Sequence, residues 1–198
     1  MEGSDNGYSK RLLISASLLA CGFDSHPLRF IMNDIIVISG APGSGKTTVA
    51  ELLKDKLRSP YIDFGWLREF HLDKEWKEAS EKEEGMSFEN LVSILKNYIK
   101  NGYKNVIVTD LTDLRVEELE KIFKKNNLII FSLVIGTDEE LKGRILSNRD
   151  SGFKNIDQAL RWNNALKKRQ LLPNEHKIDN SHNNPGKTAE EILDIIKL

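Results

Sequence analysis

The sequence predicts an α/β protein, a three-layer αβα sandwich around a five-stranded parallel sheet. Three observations point there. From Asp34 onward, short β-branched runs alternate with longer amphipathic stretches, the pattern of βαβ units. Several of these runs are apolar almost throughout, as strands covered on both faces must be. The 198 residues, 39% hydrophobic and 30% charged, suit one substantial core.

Residues 34–39 (DIIVIS) read as a buried central strand bounded by Gly40, and TTVAELLKDKL follows as a helix. SPYIDF gives a second strand ending near Asp63. The charged stretch 66–86 comes next, then an amphipathic helix over 87–102 (SFENLVSILKNYIKNG) closed by Gly102. KNVIVTD (104–110) is the third strand, followed by the helix VEELEKIFKKNN. LIIFSLVIG (128–136) is the fourth. DEELKGRILSNRD starts as a helix at a Thr137/Asp138 cap and gives way to a short mobile loop, DSGFKNID. The helix QALRWNNALKKRQLL leads through Pro173 to a fifth strand around HKIDN. The final helix, TAEEILDIIKL, is expected to begin behind a Thr188 capping box.

Residues 32–198 thus read as one domain, with an acceptor region over 64–90 and a short lid over 149–157. Residues 1–31 read as an extension. Lys10 and Arg11 precede an apolar run, LLISASLLACGF, which is too short to cross a bilayer but has the length of a signal-peptide core. Three readings stay open: residues upstream of a natural start at Met32, which is preferred; a packed N-terminal helix; and an exported leader. One cysteine, Cys21, allows no internal disulfide, and no Cys/His cluster has zinc spacing, so a reducing cytoplasm is expected. A net charge of −1 argues against a nucleic-acid-coating or membrane-surface protein. Nothing in the sequence specifies an oligomeric state.

Gly40, Ala41, Pro42, Gly43, Ser44, Gly45, Lys46 and Thr47 satisfy G-x-x-x-x-G-K-[ST], with a buried strand before and a helix after. Glycines let such a loop curl until successive backbone N–H groups face phosphate oxygens, and the helix N-terminus adds to their field. Together with Thr48, these residues are the expected ATP contacts. Lys46 would bridge the β- and γ-phosphates, and the Thr47 hydroxyl would ligate Mg²⁺. The fold expected is that of the P-loop NTPases.

Motors, switches and kinases share this loop, so absences matter. N-K-x-D and D-x-x-G are missing, which argues against a guanine switch. So is the serine-glycine signature of ABC-type ATPases. DFG at 63–65 spells the protein-kinase magnesium motif, but no H-R-D loop accompanies it.

What remains resembles the small P-loop kinases of the nucleoside/adenylate-kinase-like superfamily, the group around shikimate kinase, gluconate kinase, chloramphenicol phosphotransferase and polynucleotide-kinase-like ATPases. The resemblance spans 34–198 in element order. It rests on the phosphate loop, on Asp63 at the end of the second strand, on Arg144 and Arg149 before and at the lid, and on the ending HKIDNSHNNPGKTAEEI. It implies an ATP- and Mg²⁺-dependent transfer of the γ-phosphate to a small hydroxylated acceptor. A nucleotide or polynucleotide 5′-hydroxyl kinase, and an ATP-binding regulatory module without acceptor, are the alternatives.

Asp63 is the candidate general base or acceptor anchor, since a carboxylate at a strand's C-terminal edge faces the crevice where open α/β sheets bind ligands. A helix cap is its alternative role. Arg68 could clamp an acidic acceptor or face solvent. Asp110 ends VIVTD, four apolar-type positions then Asp, and could hold Mg²⁺ through water or belong to the acceptor site. Thr109, Asp113 and Arg115 extend that polar cluster, with Asp113 equally suited to cap the next helix. Arg144 and Arg149 are expected to neutralise charge on the transferring phosphoryl group. Trp66, His71 and Trp76 either line a pocket or pack.

Overall fold

The computed structural model describes residues 33–70, 80–147, 153, 155–182 and 184–196. The readings made for residues 1–31, and the candidates His71, Trp76 and Arg149, therefore lie outside the described residues.

Among the described residues, five parallel strands form a single sheet in the order β2-β3-β1-β4-β5: β1 (Ile35–Gly40), β2 (Tyr61–Asp63), β3 (Val106–Thr109), β4 (Leu128–Val134) and β5 (Glu175–Asp179). β1 lies at the centre, buried at every position. The period-two alternation of a strand divides its side chains: Ile35 and Val37 enter one core with α3 (Glu81–Lys100) and α4 (Asp113–Ile122), while Ile36 and Ile38 enter the other with α1 (Lys46–Leu57) and α7 (Pro185–Ile196). A third cluster sits above the strand ends, where Ala41 and Ile135 meet α5 (Asp138–Leu146) and α6 (Ile156–Lys168). The three-layer sandwich expected from the sequence is what the chain forms.

Helix starts follow local chemistry. Asp63 caps the short helix α2 (Phe64–Glu69) by accepting from the Gly65 N–H at 2.9 Å. Thr112, Thr137 and Asn155 cap α4, α5 and α6. Asp113 is therefore the first residue of α4 rather than its cap, the threonine before it having taken that role. α3 starts at Glu81, six residues before the expected Ser87. Ser80 and Glu83 close a reciprocal capping box inside the charged stretch, whose polarity hides the helical period. α6 starts at Ile156, so 156 and 157 of the expected lid form its first turn.

The start of α7 also differs from the reading. Thr188 is not a cap: the helix begins at Pro185, and Asn184 accepts from the Lys187 N–H at 2.8 Å. Asn followed by Pro supplies a side-chain acceptor and a preset φ without a wasted N–H, a stronger start than TAEE three residues later. Thr188 is buried and its hydroxyl is used elsewhere. Among the described residues no helix is long and apolar enough to cross a membrane.

Candidate nucleotide and acceptor site

The C-terminal ends of all five strands meet around the loop that joins β1 to α1. Gly40, Gly43 and Gly45 have φ of 145°, 83° and 96°, values an L side chain resists, so the loop's course depends on them. A Cβ on Gly40 would lie 2.5 Å from Ser44 Oγ and 2.6 Å from the Leu133 carbonyl oxygen. The loop is closed on itself by Ser44 N–H donating to the Ala41 carbonyl at 3.1 Å. α5 covers it, with Ile145 and Leu141 against Gly43.

Lys46 is buried, and its ammonium donates to the Ala41 carbonyl at 3.3 Å. Burial pushes its pKa down, while the charges of Asp110 and Asp63 oppose that shift. Thr47 and Thr48 are exposed on the first turn of α1.

The two carboxylates stand beside β2 and β3. Asp63 Oδ1 is held by the Gly65 N–H; its Oδ2 accepts from Thr109 Oγ1 at 3.1 Å and from the Tyr61 hydroxyl at 3.2 Å. Both roles weighed for Asp63 thus have a place, because one oxygen caps α2 and the other lies in a hydroxyl cluster. Asp110 has φ of 64°, which turns it out of β3 and onto Arg68, whose Nη2 donates at 2.6 Å. Burial pushes the Asp110 carboxyl up, Lys46 pulls it down, Asp63 pushes it up, and Arg68 pulls it down. The Arg68 guanidinium lies over Phe64, 5.3 Å from the ring centroid. A methyl on Gly65 would come within 2.9 Å of Asp63 and 3.1 Å of Asp110, so the two acids converge on one small backbone gap. Lys46, Asp63, Arg68 and Asp110 are thereby brought together. Trp66 is half exposed beside them, edge-on to Tyr61 at 5.4 Å. Arg115 is spent elsewhere, between Glu84 and Glu118.

Across the loop, the segment after β5 forms the other wall. Asn180 donates to the Ser44 carbonyl at 2.7 Å and accepts from Thr188 Oγ1 at 2.5 Å. The Gly136 N–H donates to Ser181 Oγ at 2.6 Å. Arg144 belongs to this wall: its Nη2 donates to Glu140 at 2.8 Å, to the Asn180 carbonyl at 2.6 Å and to the Ser181 carbonyl. Asn163, fully buried, clips the end of β4 by accepting from Ile135 N–H at 2.9 Å and donating to its carbonyl at 2.7 Å. Sequence reasoning missed Asn180, Thr188 and Asn163 as working residues. Only HKIDN, recognised as a terminal strand and loop, pointed near the first.

A family described as an AAA domain matches residues 36–163. The Pyrococcus abyssi protein named "Putative adenylate kinase" is 27% identical over 164 residues, covering 82% of this chain and 84% of that protein. Its namesake from Thermococcus kodakarensis is 28% identical over 166 residues, 82% and 85% of the two chains. Among solved structures, a gluconokinase from Sinorhizobium meliloti 1021 superposes with a TM-score of 0.62 at 17% identity, over 85% of this chain and 93% of that one. Shikimate kinase from Acinetobacter baumannii, in complex with shikimate, does so with a TM-score of 0.52 at 21% identity, over 82% and 92%. The structural likenesses establish a shared, kinase-like P-loop NTPase fold, and with the family match running from β1 through the phosphate loop and β4 into α6, the chain belongs to the AAA-domain family.

Proposed function

We propose that the protein is an ATP- and Mg²⁺-dependent phosphotransferase that moves the γ-phosphate to a hydroxyl of a small acceptor. The observation that carries this is the convergence of Asp63 and Asp110 on one gap within the electrostatic reach of the buried Lys46. The residues present fit the nucleotide: Ser44 Oγ is buried with no hydrogen-bond partner inside a loop that only glycines allow. Residues 40–48 would hold the phosphates, Lys46 would meet the β- and γ-oxygens, and Thr47 with Asp110 would hold Mg²⁺. Bound magnesium would neutralise phosphate charge.

On the acceptor side, Asp63 Oδ2 takes the proton of the attacking hydroxyl, and Tyr61 and Thr109 fix that oxygen. Arg68, held by Asp110 at 2.6 Å, orients the acceptor, and Asp110 itself would join that task where it does not hold Mg²⁺. Arg144, braced by Glu140 and by the Asn180 and Ser181 carbonyls, steadies the wall after β5 and is proposed to face the phosphoryl charge from there. Arg149 is proposed for the phosphoryl charge, and residues 64–90 for acceptor recognition. A second reading, a nucleotide acceptor, draws on the names of the sequence relatives. Against it, the described guanidiniums on this side, Arg68 and Arg115, are already matched by carboxylates.

The test is ATP turnover across a panel of sugars, cyclic hydroxy acids, nucleosides and nucleotides, chosen by thermal shift with a non-hydrolysable ATP analogue. Lys46→Ala is expected to abolish turnover with the fold intact. Asp63→Asn keeps the cap, because Asn caps helices as well as Asp, and should lower kcat by about 10²-fold or more. ATP binding with no acceptor-stimulated turnover would instead support a regulatory module.

A further inference from the structure

Lys46 has an unusual neighbour. Its Nζ lies 5.9 Å from the ring centroid of Trp162, on α6. Among the described residues no carboxylate is within ion-pair distance of that ammonium, although Asp63 and Asp110 act on it through space.

The indole is held in place by a chain of polar contacts reaching the far strand of the sheet. Trp162 Nε1 donates to Asp113 Oδ1 at 3.2 Å. The other oxygen of Asp113 is 3.7 Å from Arg169 Nε. Arg169 grips Glu175 with two bonds, at 2.6 and 2.7 Å. The Glu175 side chain is fully buried on β5 and also accepts from Leu172 N–H at 2.7 Å and Ser132 Oγ at 2.5 Å. On its apolar side Trp162 packs in the cluster that contains Ala41, whose carbonyl accepts from Lys46. One side chain therefore touches both the phosphate loop and the space beside its lysine, fixed from outside the site.

A lysine paired to a carboxylate in a dry pocket must break a charge-assisted hydrogen bond before it can turn to a phosphate. A π face attracts the ammonium without engaging its N–H groups and releases it at small cost. We propose that Trp162 is a positioning residue: its indole, oriented by Asp113, keeps the Lys46 ammonium dry and out of ion pairs with Asp63 and Asp110, ready for the phosphates of ATP. This rests on the reading that the loop binds ATP.

Two measurements test it. In a Trp66→Phe/Trp76→Phe background Trp162 is the sole tryptophan, and Mg–ATP should change its emission saturably, with a midpoint matching the calorimetric Kd. In the otherwise unaltered chain, Trp162→Leu should weaken ATP binding by about fivefold, while Trp162→Phe, which keeps a π face, should recover most of that loss. Silent emission during calorimetrically proven binding, or equal affinities for the Leu and Phe variants, overturns the proposal. If Trp162→Leu fails to fold, the emission measurement, made with Trp162 in place, still decides. Wild type that binds no ATP overturns the nucleotide reading and this proposal with it, a result distinct from binding that ignores Trp162.

Discussion

At Asp110 two demands meet in one residue. Its φ of 64° is a conformation that Asn, Asp and Gly tolerate and β-branched residues do not, and its carboxylate sits against Arg68 and in the field of Lys46. The two demands separate by substitution. Asp110→Asn keeps the backbone preference and removes the charge, so turnover should fall while the urea midpoint stays near that of wild type. Asp110→Val should lose about 2 kcal/mol of stability through strain, measured by the same unfolding curve. VIVTD marked Asp110 in the sequence because four strand positions precede it. Its pairing with Arg68 was illegible, since those residues are joined by the adjacency of β2 and β3 and not by spacing along the chain.

Among the elements, β5 and α7 show how a misread start conceals a working residue. TAEE has the spelling of a capping box, yet Thr188 lies within the helix and donates to Asn180, which in turn donates to the Ser44 carbonyl of the phosphate loop. Thr188→Val keeps the volume and removes the donor, leaving a buried acceptor unpaired. A loss of about 1–3 kcal/mol is expected in chemical denaturation, accompanied by weaker ATP binding, while Thr188→Ser should behave as wild type. A capping role would instead predict that Val at 188 only frays the first turn of α7. Local patterns located nearly every element here, because buried strands and amphipathic helices write their periods into sequence. Hydrogen bonds between distant loops leave no such period, which is why the wall made by Asn180, Arg144 and Asn163 had to be seen.

At the scale of the whole molecule, three acids among the described residues, Glu175, Asp34 and Glu84, are each matched by a partner. Burial by itself would raise the Glu175 carboxyl; Arg169, the Leu172 N–H and Ser132 outweigh it and hold it below its ordinary 4.5. Asp34 is likewise held down by Lys104 and backbone N–H against its burial, and Glu84 chiefly by Arg115. A carboxyl lowered in the folded state contributes stability above its unfolded pKa and loses it as pH falls. Asp110, raised, acts with the opposite sign. The melting temperature should therefore hold steady from neutrality to about pH 5 and fall below about 4.5, where these groups take up protons on unfolding. Glu175→Gln, which strands the Arg169 charge, should cost about 3 kcal/mol at neutral pH. The clamp between Asn180 and Ser44 has a further consequence in time. A ribosome delivers the phosphate loop well before its brace, since Asn180 follows Ser44 by 136 residues along the chain. A fragment ending at residue 174 would carry every residue of the loop without the brace on the Ser44 carbonyl, and calorimetry should find its ATP binding weaker than that of the full chain.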